Sequence, residues 1–348
     1  MTKPHTTIAT RQSGIREDWL ALTREEVLEP DLAIVDPHHH LWDFPTHRYL
    51  LPDLLADTDS GHKIESTVFI ECTAFYRADG PSELRTLGET EFANGIAAMS
   101  ASGAHGPTRV AAGIVGLVDL TIGGRAEEVL RAHMAAAGPR FKGIRYCAGW
   151  EDKSEQIHNS HNNPPPRVYR DHAKFREGFA TLRGLGLSFD AWLYHPQLGD
   201  LIDLARAFPE QPIVLDHVGG PLGLDWYADK RDEIFVGWKR DIQELAGCPN
   251  VCVKLGGLGM RINGFQFHHR ERPPSSQDLA DIWRPYMEVC IEAFGVTRCM
   301  FESNFPVDKI SAPYAIYWNA FKRLAAGASV EEKAALFRET AKRFYRLA

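Results

Sequence analysis

The chain reads as an α/β protein, and within that class as a single-domain (β/α)8 TIM barrel. Three observations predict it. Eight short β-branched or apolar runs recur from residue 31 onward. Most are followed by a polar cluster and then by an amphipathic segment of helical length, the alternation of a parallel sheet. The chemistry-bearing residues gather where those runs end, the working face of a closed barrel.

Residues 1–30 read as an N-terminal arm, with a helical pattern over 16–29 whose apolar members are Trp19, Leu20, Leu22, Val27 and Leu28. Residues 31–348 form the barrel domain. Its strands are predicted at 33–36, 67–72, 110–118, 141–146, 187–192, 212–216, 251–255 and 298–301. Helices are predicted at 81–100, 125–137, 175–183, 198–208, 233–246 and 277–294, with two more at 314–324 and 330–345. Eight strand units suit a closed barrel better than an open doubly wound sheet. No GxGxxG turn follows a strand and no Walker-type loop is present, so dinucleotide and P-loop chemistry are unsupported.

The net charge of −7 has acids and bases interspersed, with no basic block to bind nucleic acid. The six cysteines are scattered without a CxxC pair and read as buried thiols of a reducing compartment. No run reaches transmembrane length, and the first twelve residues are polar, so a cytoplasmic location is expected. The expected partner is a small acidic molecule, neither nucleic acid nor membrane; self-association into a homo-oligomer stays open.

The run Ile34-Val35-Asp36-Pro37-His38-His39-His40 organises the site. Strand alternation would put Asp36, His38 and His40 on one face. Two convergent imidazoles can hold a metal ion or polarise an oxygen-rich substrate; a solvated histidine cluster is the bland alternative. Later strand ends add Glu71 and Thr73, then Arg145, then Asp190, Trp192, Tyr194 and His195, then His217, Lys254, and finally Glu302 and Asn304. A packed barrel core should be Val, Ile and Leu, and burying ionic groups there is costly unless they pair or serve a site. A buried ion network, Lys254 with Glu302 and Glu71 with a histidine, is the competing reading. Two long loops, 150–171 and 256–276, suit lids or specificity loops. Their histidines, among them His158, His161, His268 and His269, read as solvated before they read as ligands. Trp192, Tyr194, Phe265 and Phe267 would form an apolar wall.

The motifs Asp36-Pro-His38-His-His40-Leu-Trp42-Asp43, Lys142-Gly-Ile-Arg145, Asp216-His217-Val-Gly219, Val253-Lys254-Leu-Gly256 and Phe301-Glu-Ser-Asn304-Phe-Pro306 together resemble the amidohydrolase superfamily. The likeness is to its lactonase branch, with the 2-pyrone-4,6-dicarboxylate and sugar-acid lactonases. The resemblance implies a (β/α)8 barrel that hydrolyses a small acidic ring ester, with a site made of the HxH pair, the sixth-strand histidine and an eighth-strand carboxylate. The chain departs from it at Asn304, where the family usually has Asp. An amide accepts no proton at neutral pH and is a poor metal ligand. Glu302, His195 and His217 are the candidates to replace that base; Glu302 lies one pleat deeper, about 6.6–6.8 Å along the strand.

The expected reaction is water attack on a lactone or related activated ester. His38, His40 and His217 would hold the carbonyl oxygen, and Arg145 a substrate carboxylate, its planar fork suiting that group. Trp192, Tyr194 and Lys254 complete the substrate-binding set. His195 or Glu302 would be the base, and Asn304 would orient water or substrate. No organic cofactor is expected. A divalent metal such as zinc on His38 and His40 stays open, the metal-free site being the favoured expectation. The alternatives are an amidohydrolase-type decarboxylase or hydratase, and a catalytically silent barrel that binds a small acid.

Overall fold

The structure, a computed structural model, describes residues 15–348; the predicted arm over 1–14 lies outside them. Among the described residues there are ten strands: β1 (Ala33–His39), β2 (Trp42–Phe44), β3 (His47–Tyr49), β4 (Lys63–Ile70), β5 (Arg109–Gly116), β6 (Phe141–Cys147), β7 (Ser188–Trp192), β8 (Ile213–Leu215), β9 (Val251–Leu255) and β10 (Cys299–Phe301). Eight of them, β1 and β4 to β10, form one parallel sheet in chain order with helices between them. The predicted strands match these within a few residues. The hairpin β2–β3 and the helix Leu51–Thr58, both inserted after β1, were not predicted.

The barrel closes just beyond its first and last strands. His40 N donates to Phe305 O at 2.8 Å and Asn304 N to His38 O at 3.0 Å. Backbone bonding thus sets the HxH pair beside Asn304. Val35, Val68, Ile70, Val115, Val214 and Met300 fill the interior, plugged by Phe344 and Tyr345 of the C-terminal helix Thr340–Tyr345. The opposite parity of the strands, including Ile34, Phe69, Ile144, Phe189 and Leu255, joins the shell between sheet and helices. No helix among the described residues is long and apolar enough to cross a membrane.

Two expectations fail here. The arm is helical only over Glu17–Leu20. Its later polar groups serve the barrel instead: Leu28 N donates to Asn319 Oδ1 at 2.9 Å, and Lys322 Nζ donates to the Leu28 and Glu29 carbonyls. Asp36 does not share a face with His38 and His40. Val35 already points inward, so Asp36 points out, where it accepts from the Tyr314 hydroxyl at 2.9 Å and Ser303 N at 3.0 Å. A register irregularity between Asp36 and His39 then returns His38 to the interior.

Candidate active site

The imidazoles are anchored from behind. His40 Nδ1 lies 2.8 Å from the Ile70 carbonyl, which can only accept, so the proton is on Nδ1 and a neutral ring presents the Nε2 lone pair. His217 Nδ1 lies 2.6 Å from Glu302 Oε1, which also accepts the His217 amide at 3.1 Å. The other oxygen, Oε2, stands 2.8 Å from His38 Nδ1. One buried carboxylate therefore sits under two rings whose centroids are 4.5 Å apart. His38 Nε2 and His40 Nε2 approach to 3.2 Å.

Beneath this layer Lys254 is fully buried. Its Nζ reaches Asp190 at 2.8 Å, Asp216 at 2.9 Å and His38 Nδ1 at 3.0 Å. It lies below the cavity floor, so the substrate contact expected of it is replaced by an ion network. Asp216, one residue before His217, is the acid that strand reading passed over; alternation from the inward Val214 would have found it.

Arg145 points its fork at Glu71: Nε donates to Oε1 at 2.7 Å and Nη2 to the main-chain carbonyl at 2.6 Å. Nη1 is left toward His38 Nε2, at 3.3 Å. The same Glu71 meets His161 Nε2 at 3.1 Å through Oε2. His161 was read as a solvated loop residue, yet only 9 % of its side chain is exposed. No local pattern marks it; its place follows from loop contacts, Ser160 N to Gly149 O at 2.7 Å and Tyr194 OH to His158 O at 2.6 Å.

Asn304 adopts φ 55°, a left-handed conformation that Asn tolerates. Its Nδ2 donates to Asp308 Oδ1 at 2.9 Å. In this arrangement Asn304 Oδ1 lies buried and without a hydrogen-bond partner.

These groups surround a cavity of about 380 Å3. His40, Arg145, His161, His217 and Asn304 give its polar side; Trp42, Trp192, Tyr194, Met260 and Ile262 give much of the apolar side. Among the expected members, His38, Lys254 and Glu302 lie behind its lining, and His195, Phe265 and Phe267 stand off it. His195 opens the short turn His195–Gln197, its Nδ1 accepts the Leu222 amide at 3.2 Å, and its ring packs on Tyr227. That removes it as the base in this arrangement. Phe265 and Phe267 stack on each other, with Phe267 in the core and Phe265 under Arg231.

Burial sets the charge states. It lowers His38 and His40 well below the usual imidazole range, assisted by Lys254 and Arg145 respectively, and holds His217 at about 3. It pushes Glu302 well up, against the pull of Lys254. Glu71 goes the other way: burial opposes its charge, but His161 and Arg145 outweigh it and hold the carboxyl low.

The sequence profile of the family described as Amidohydrolase matches residues 35–347. The chain belongs to the amidohydrolase family. It is similar to the Sinorhizobium fredii "uncharacterized protein y4mH", 33% identical over 342 residues, 91% of this chain and 99% of that one. It is similar also to an L-fucono-1,5-lactonase of Burkholderia multivorans, 26% identical over 327 residues, 90% of this chain and 96% of the lactonase. A solved Burkholderia multivorans amidohydrolase with bound zinc shares the fold, with a TM-score of 0.68 and 24% identity over 91% of this chain and all of that one.

Amidohydrolases usually use a divalent metal, and the donor set here fits one. Two nitrogen ligands at about 2.0–2.1 Å from a tetrahedral zinc stand roughly 3.3 Å apart; His38 Nε2 and His40 Nε2 are 3.2 Å apart. His38, Asp216 and His217 also bring one donor atom each within 4.8 Å of one another. Glu71, Asp190, Asp216 and Glu302 are fully buried around the fixed cations Arg145 and Lys254, a surplus of acids that a dication or bound protons would balance. The arrangement thus suits a metal more than the sequence expectation did.

Proposed function

We propose that this amidohydrolase opens a lactone, or a related activated ester, of a small anionic substrate by water attack. The observation that carries the reading is the His217–Glu302 pair, placed under a cavity that His40 and Asn304 also face. The named lactonase relative supports the reaction class. The lining supports the substrate: Arg145 and Arg261 line the cavity, while none of the described lining residues is Asp or Glu, so an anion is favoured. The Trp42, Trp192, Met260 and Ile262 surfaces suit an apolar body.

In this reading water adds to the lactone carbonyl carbon, and its proton passes to His217 Nε2. Glu302 Oε1, 2.6 Å from Nδ1, holds the proton on that nitrogen and so leaves the Nε2 lone pair for the water. Asn304 Oδ1, aimed by Asp308, accepts a hydrogen bond from the water and orients it without taking its proton. Arg145, which lines the cavity, would stabilise the negative charge that develops on the carbonyl oxygen. A divalent metal held by His38 and His40 would, when bound, polarise the carbonyl oxygen or the water.

The test is hydrolysis of a lactone panel by wild type and by His217→Ala. Wild type is expected to open at least one lactone, with kcat about 10²–10⁴-fold lower in the variant, the usual worth of a positioned base. Failure of wild type on every lactone, across pH and metal supply, overturns the reading.

A further inference from the structure

The cavity meets a second histidine–carboxylate pair. His161, from the loop between β6 and the short helix Val168–Asp171, lines it, and Glu71, at the end of β4, stands behind the ring at 3.1 Å from Nε2. Ester hydrolysis has two proton problems. The attacking water must lose a proton, and the departing oxygen must gain one. His217 is placed for the first. We propose that His161, backed by Glu71, solves the second by protonating the ring oxygen as the lactone opens; the assignment rests on the lactonase reading above.

The contacts favour this role. With Nε2–H directed at Glu71, the second ring nitrogen, Nδ1, meets Cys147 Sγ at 4.0 Å, a weak partner that a substrate oxygen would replace. A carboxylate behind an imidazole stabilises the imidazolium, the form that can donate. Glu71 also holds Arg145, so donor ring and guanidinium are positioned by the same side chain. In the step, the water oxygen forms its bond to the carbonyl carbon and the ring C–O bond breaks. The bonding pair goes to the ring oxygen, which takes the proton from His161 Nδ1. The water proton lies on His217, and both histidines re-equilibrate with solvent, so the net change is lactone plus water to hydroxy acid.

Leaving-group dependence separates an acid from a loop anchor. Delta-valerolactone expels an alkoxide and needs a proton; dihydrocoumarin, with the same ring size, expels a phenolate whose conjugate acid has a pKa of about 10 and needs it far less. His161→Gln in the full-length protein is expected to lower kcat/KM by about 10²-fold or more for delta-valerolactone and by much less for dihydrocoumarin. His161→Ala should regain alkyl-lactone turnover with added imidazole. Equal losses on both lactones, with no rescue, overturn the assignment and leave the lactonase reading standing. Wild type inert toward both overturns the two together.

Discussion

The His217–Glu302 and His161–Glu71 pairs meet one cavity but are built by different means. His217 and Glu302 stand just past two barrel strands, are both fully enclosed, and are joined twice, through ring and amide. His161 stands on a long loop and is joined to its acid once, over the longer distance of 3.1 Å. Even the acids differ in sign: burial raises Glu302, while His161 and Arg145 lower Glu71 against burial. A pair carried by strands has its geometry set by the sheet. A pair carried by a loop depends on whatever holds the loop.

The largest expected effect falls on the strand pair. Glu302→Gln should lower kcat by roughly 10²–10⁴-fold with little change in KM, and adding His217→Ala should cost no more than the worse single change, because the two act as a unit. Steady-state kinetics on the four proteins checks this; multiplying losses would break the comparison.

The opposed charge states give opposed pH linkage. The folded-state pKa of Glu71 lies below its unfolded value, so it adds stability above about pH 4.5 that is lost as the pH falls toward the folded value. Glu302, raised in the fold, works in reverse: it costs stability as the pH rises from 4.5 through its folded value. Glu71→Gln should therefore be least stable relative to wild type at neutral pH and recover below pH 4.5. The stability of Glu302→Gln relative to wild type should instead improve as the pH rises. Denaturant melts across pH read both, and parallel curves would show that the two acids do not differ.

The smallest effect concerns the loop. Tyr194→Phe removes the hydroxyl that donates to the His158 carbonyl, a bond worth about 1 kcal/mol. It should lower alkyl-lactone turnover about fivefold through His161 and leave dihydrocoumarin nearly unchanged; an effect as large as that of Glu302→Gln would mean that the loop pair is no softer than the strand pair.

By itself the sequence determined the eight-strand barrel, since alternation of apolar runs and amphipathic helices is a local property that closure only completes. It also determined that His38, His40, Arg145, His217 and Asn304 would meet, because barrel topology sends strand ends to one mouth. Tertiary structure decided where alternation stops holding. A register irregularity turned Asp36 outward, a short turn took His195 off the cavity, and Lys254 sank into an ion network with Asp190 and Asp216. It also brought His161 to Glu71, across 90 residues of chain. Pleat periodicity fixes a side chain's direction only while the ladder is regular, and a loop takes its position from bonds to partners far away in sequence, which no local pattern encodes.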